Sequence, residues 1–131
     1  MKSLLMATAV LEVGAGVALT CIPSWATTLL LDVPLTTPEA LVVARVGGAG
    51  LLALGVACWL ARGDVQNNAA KALVSGMLVY NVGTAIVLGH AGVTWQQVGV
   101  ALWPAVVLHL AMTGWCVLCL AGKSIRRPSG S

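Results

Sequence analysis

Four long apolar runs, separated by short polar breaks, constrain this chain more than any other feature. They cover residues 3–22, 38–61, 69–88 and 95–120. Each is about the 20 residues that an α-helix needs to cross a hydrocarbon core. Together they take up most of the 131 residues, which leaves no stretch for a soluble catalytic domain. Composition agrees: 59% of residues are hydrophobic, 8% are charged, and the mean hydropathy is +0.95. An average globular domain carries about 25% charged residues. The expected fold is an all-α membrane protein, a single four-transmembrane-helix domain over residues 1–131 with up-down-up-down topology.

The net charge of +3 is best explained by where the charges fall. Lys2, Arg62, Lys71, Lys123, Arg126 and Arg127 flank the ends of the runs, and Arg45 lies within one. If the runs alternate in direction, the six flanking cations share one side of the membrane. Cytoplasmic loops collect Lys and Arg, so both termini are expected in the cytoplasm. Basic residues so few and so scattered offer no nucleic-acid surface; the bilayer is the expected partner. Met1-Lys2 before an apolar run has the outline of a signal peptide, and Ala18 to Cys21 that of a lipoprotein cleavage site. Against cleavage, Glu12 interrupts the run, Thr20 is a poor residue before a lipidated Cys, and Pro23 follows closely. The first run therefore reads as a retained helix.

Local signals set the boundaries. Pro23 ends the first helix, and residues 24–37, with Leu29-Leu30-Leu31, Asp32 and Pro34, form an outer interfacial segment, as a short helix or turn. Thr37-Pro38-Glu39 starts the second helix: a cap, a proline at the first helical position, and an acid near the positive dipole end. Gly89 and Gly92 are expected to open a turn around His90. Thr94 to Gln97 has the spacing of a capping box for the fourth helix, which Pro104 is expected to bend. Residues 124–131 read as a flexible tail.

Polar residues inside the runs are the candidates for function. At about 1.5 Å rise per residue, Glu12 lies about 15 Å from Lys2, Asn81 about 15 Å from Lys71, and His109 about 21 Å from Lys123. In a core about 30 Å thick all three fall near the midplane. Arg45, about 25 Å from Arg62, lies nearer the outer surface. Each shares an i+4 row with small residues: Glu12 with Thr8 and Gly16, Arg45 with Ala49 and Ala53, Asn81 with Ala85, and His109 with Ala105. Small-residue stripes favour close helix packing. The expectation is a shared polar interior of Glu12, Asn81 and His109, with Arg45 above and Tyr80 nearby, serving as ligand or proton-relay residues. Buried polar groups that merely fasten helices together give the same pattern.

Other chemistry has less support. His90 and His109 differ in depth, which argues against a bis-histidine haem site. Cys116 and Cys119 form a CxxC, but at a helix C-terminus, where the dipole does not activate a thiol. Cys58 and Cys21 complete no metal set, and small packing roles suit all four cysteines. Of the five tryptophans, Trp25, Trp95 and Trp59 mark boundaries, whereas Trp103 and Trp115 lie deeper. No nucleophile–base pair, metal set or cofactor motif is legible.

The segment Ala44-Arg45-Val46-Gly47-Gly48-Ala49-Gly50-Leu51-Leu52-Ala53-Leu54-Gly55 resembles the Arg-then-Gly opening of a helix in DoxX-like small bacterial membrane proteins. The whole chain is similar to uncharacterised bacterial four-helix proteins, through Glu12, Arg45-Val46-Gly47, Tyr80-Asn81, Trp103-Pro104 and His109. That resemblance implies a bacterial inner membrane but no activity. Small multidrug-resistance transporters also place a Glu in the first of four helices, where Glu12 stands. Their aromatic-lined substrate helices are missing here, and Arg45 would oppose a cation, so a proton-coupled transporter is a minor alternative. Two classes remain: a bundle that binds a small lipophilic ligand, such as a quinone, or relays protons, and an accessory subunit docking on a membrane-complex partner or a further copy of itself.

Overall fold

A computed structural model describes residues 1–122, so the tail 124–131 and the cations Lys123, Arg126 and Arg127 lie outside the described residues. Five α-helices make up the described chain: α1 Lys2–Cys21, α2 Pro23–Leu31, α3 Pro38–Ala61, α4 Asn68–Thr94 and α5 Leu102–Ala121. Four of them (α1, α3, α4 and α5) are long and apolar enough to cross a membrane. Their outward faces are apolar too, with Val43, Val46, Leu60, Val79, Ile86 and Leu118 all exposed.

Proline separates α1 from α2. Pro23 cannot donate a backbone hydrogen bond and pushes the preceding residue out of the helical region. Ile22 accordingly sits at φ −133°, ψ 53°, and Pro23 takes the first position of α2. Residues 24–31 are thus a short helix, and Asp32 closes it in the left-handed region at φ 56°, which short polar side chains tolerate. The Thr37 hydroxyl accepts from the Ala40 amide at 3.3 Å, so the expected cap of α3 is made. Asn67 caps α4 by accepting from the amides of Ala69 at 2.6 Å and Ala70 at 3.3 Å.

The last connection departs from expectation. α4 runs through Gly89, His90 and Gly92 to Thr94, so His90 is helical rather than in a turn. The Thr94 hydroxyl donates back to the His90 carbonyl at 2.7 Å and caps nothing. Residues 95–101 are not helical. Tertiary bonds outcompete the local capping box: the Gly99 amide donates to Leu30 at 3.1 Å and the Ala101 amide to Leu29 at 2.9 Å. These bonds satisfy carbonyls that the end of α2 would otherwise leave unpaired. Because α5 begins at Leu102, Pro104 falls in its first turn, where no intrahelical bond is lost, and it does not interrupt the helix.

The long helices form two antiparallel pairs. In α1–α3 the backbones touch. A Cβ on Gly16 would lie 2.8 Å from the Gly48 carbonyl oxygen, and one on Gly48 2.8 Å from the Thr20 nitrogen. A Cβ on Gly55 would lie 3.1 Å from the Val13 nitrogen and 3.2 Å from the Ala9 carbonyl oxygen. The second pair is α4–α5, where Gly92 makes room for Leu102 and Trp103. At the Lys2 end all four helices meet in one core of Leu4, Leu5, Cys58, Met77, Met112 and Cys116. At the opposite end Ala91, Leu102 and Val106 pack with Leu31.

Candidate functional site

Between these cores, polar side chains from three helices converge. On α1 the row Thr8, Glu12, Gly16 is buried, and Glu12 is 6% exposed. On α4 the row Met77, Asn81, Ala85 is buried, with Asn81 2% exposed. On α5, His109 is half-buried one turn from Ala105 and Thr113. The expected small-residue rows therefore turn inward on α1 and α4.

A hydrogen-bonded chain fixes the α4–α5 side of the site. The Asn81 side-chain nitrogen donates to the Met77 carbonyl at 2.8 Å, one turn back. That orients the carboxamide, so its oxygen must be the atom facing His109 Nδ1 at 2.8 Å. An oxygen acceptor there requires the hydrogen on Nδ1. In the neutral ring, Nε2 is then left as the acceptor. The Thr113 hydroxyl donates to the His109 carbonyl at 2.8 Å, steadying the same turn. Tyr80 meets the imidazole edge to face, with ring centroids 5.6 Å apart and planes at 80°. Its hydroxyl faces the Glu12 carboxyl and the Thr84 hydroxyl.

Glu12, Tyr80, Asn81 and His109 together line one cavity of about 190 Å³. Leu11 and Ala15 of α1 and Leu108 and Met112 of α5 complete its wall. Leu11, Ala15 and Leu108 are also exposed on the outer surface, so the cavity opens sideways between α1 and α5. These wall residues carry no chemistry that marks them in a sequence. Their signal is positional: Ala15 and Met112 stand at i+3 of Glu12 and of His109, the place that neighbours a helical side chain, and Leu11 and Leu108 directly precede the two polar residues.

Arg45 is not part of this group. It is exposed, as are Ala49 and Ala53 on its row, and it lines a separate cleft with Cys21 and Trp25. The reason lies in the glycines: α3 turns Gly48, Gly55 and Cys58 inward against the bundle, and this faces the Arg45 row outward. His90 is exposed near the end of α4 and does not line the cavity. Cys58 donates to the Met77 sulfur at 3.4 Å within the core, and Cys116 is fully buried there. Among the described residues, no three His, Cys, Asp or Glu side chains are grouped to hold a metal ion.

No protein-family model, curated protein or solved structure matches the chain.

Proposed function

We propose that this chain is a multi-pass protein of a bacterial inner membrane that binds a small lipophilic ligand by its polar head. The carrying observation is the sideways cavity, with four polar side chains inside and an apolar, outward-facing rim. In a bilayer such a rim opens onto acyl chains, so the ligand arrives from the lipid phase. Its volume of about 190 Å³ falls below the roughly 300–1,000 Å³ of sites for whole drug-sized molecules. It suits one ring or a compact head, with the tail left between Leu11 and Leu108. His109 Nε2 accepts a hydrogen bond from such a head, and Glu12 supplies the carboxyl opposite.

The inner-membrane orientation is supported by charge. Lys2 opens α1, Arg62 caps α3 and Lys71 lies in the first turn of α4, which puts the three at one end of the bundle. Loops rich in Lys and Arg stay cytoplasmic, giving N-in, C-in. Arg62 lies over the Trp59 ring at 3.5 Å and donates to the Trp59 carbonyl, a combination suited to a membrane boundary. A proton relay through Glu12, Tyr80 and His109 would use the same groups, with the ligand as donor or acceptor.

The accessory-subunit reading has its own observation. An apolar groove of about 510 Å³ runs outside α1 and α3, lined by Val10, Val13, Gly14, Val56 and Trp59. A partner helix, or a helix of a second copy, fits such a surface. Native mass spectrometry of the protein released from its own membrane separates the readings. The ligand reading expects a bound small molecule, lost from Glu12→Gln and His109→Ala proteins that still fold. If both variants fold and keep the same adducts as the parent, the ligand reading fails.

A further inference from the structure

Arg45 is a full charge set within an apolar helix, seven residues past Pro38. The four acidic side chains of the protein are Glu12, Asp32, Glu39 and Asp64. Glu12 lines the other cavity, Asp32 closes α2, Glu39 lies in the first turn of α3, and Asp64 follows its far end. Among the described residues, Arg45 forms neither an ion pair nor a hydrogen bond. It lines a cleft of about 360 Å³ between the α1–α2 junction and α3, with Ile22, Trp25 and Leu41. Trp25 is 58% exposed, and its indole N–H has no partner among the described residues either. Ser24, in the same cleft, spends its hydroxyl hydrogen on the Leu35 carbonyl at 2.9 Å. Besides the weakly donating Cys21 thiol, the side-chain donors left free in the cleft are therefore a guanidinium and an indole N–H, and Ile22 and Leu41 give it apolar walls.

Depth gives these donors a target. The 24 residues of α3 span about 36 Å, and Arg45 lies about 10 Å below its first residue. In a core about 30 Å thick, α3 overhangs by about 3 Å at each face, so the Arg45 backbone sits about 7 Å inside the boundary. From there an arginine lays its stem along apolar surface and lifts its head to the interface. The groups waiting at that level are phosphates, which a guanidinium matches with two parallel hydrogen bonds. We propose that this cleft is a phospholipid site: Arg45 binds the headgroup phosphate, Trp25 flanks it, and an acyl chain lies against Ile22 and Leu41. The proposal shares the bilayer placement argued above but is independent of the Glu12 cavity.

The test is native mass spectrometry of the full chain in detergent, titrated with phosphatidylglycerol. Wild type is expected to hold one lipid, and Arg45→Gln to weaken that binding about tenfold or more. Arg45→Lys keeps the charge without the fork and is expected to fall between them. Glu12→Gln is expected to bind like wild type, which separates this site from the ligand cavity. Millimolar inorganic phosphate is expected not to displace the lipid. Equal lipid retention by wild type and a folded Arg45→Gln overturns the proposal. Displacement by phosphate alone also overturns it, in favour of a free-anion site.

Discussion

Replacing Asn81 by Leu tests the link on which the site depends. Leucine keeps the volume and removes both the acceptor for His109 Nδ1 and the donor to the Met77 carbonyl. The 2.8 Å Asn81–His109 contact is an interhelical bond between α4 and α5. Such bonds in membrane bundles average about 0.6 kcal/mol and reach about 1.7. The single substitution also strands His109 Nδ1, and an unsatisfied polar group costs about 1–3 kcal/mol. Asn81→Leu is thus expected to lower stability by about 1–3 kcal/mol, most of it the stranded imidazole. His109→Leu beside it removes the stranded group, so the double variant should be less damaged than the sum of the singles. A double-mutant cycle, measured by unfolding in mixed micelles, is expected to give a coupling of about 0.6–1.7 kcal/mol. Nitrogen NMR of the imidazole reads the same bond from the other side: the Nδ1–H form in the parent, a mixture of tautomers in Asn81→Leu. Strict additivity together with an unchanged tautomer would refute the bond, and with it the argument that Nε2 is the acceptor offered to a ligand.

Two further expectations come from close approach of backbones. Gly48→Ala puts a methyl 2.8 Å from the Gly16 carbonyl oxygen and the Thr20 nitrogen; it should destabilise the protein by about 1–3 kcal/mol. Gly14→Ala, which meets nothing within 4 Å, should stay within about 0.5 kcal/mol in the same thermal unfolding assay. Gly99→Ala drives a methyl into the Leu29 carbonyl. Hydrogen exchange should show faster exchange at Gly99 and Ala101, and unchanged protection there would contradict the α2 docking.

The sequence made the long helices legible because their signal is additive over about 20 residues, and no local exception can cancel it. Thr37-Pro38-Glu39 was equally readable, since cap, proline and acid act within one turn and need nothing from elsewhere. Thr94 to Gln97 looks just as clear and misleads. Its capping box competes with carbonyls at the end of α2, more than 60 residues away in sequence, and only the folded chain brings Leu29 and Leu30 to Gly99 and Ala101. The candidate site divides in the same way. Depth follows from counting, so the shared level of Glu12, Asn81 and His109 was accessible. Direction was not: the i+4 rows of Glu12 and Arg45 look alike in composition, yet one is buried and the other exposed. What distinguishes them is Gly48 and Gly55, whose contact with α1 fixes the rotation of α3.

That rotation also bears on where a site can form. Where Gly16, Gly48 and Gly55 bring α1 and α3 together the backbones leave no space between them, and within α4–α5 the Asn81–His109 bond and the packing of Gly92 on Trp103 hold the helices together. Space is left at the seam between the pairs. The seam is closed at the Lys2 end by Leu4, Leu5, Met77 and Cys116, and bridged at the other by α2 and residues 99–101. Glu12 reaches the seam from the first pair, and Tyr80, Asn81 and His109 reach it from the second. A ligand there would touch both pairs, so its binding should couple to their separation. On the proposed ligand reading, larger residues at Ala15 and Leu108 should therefore remove the adduct in native mass spectrometry without harming the fold, because both residues are exposed at the rim.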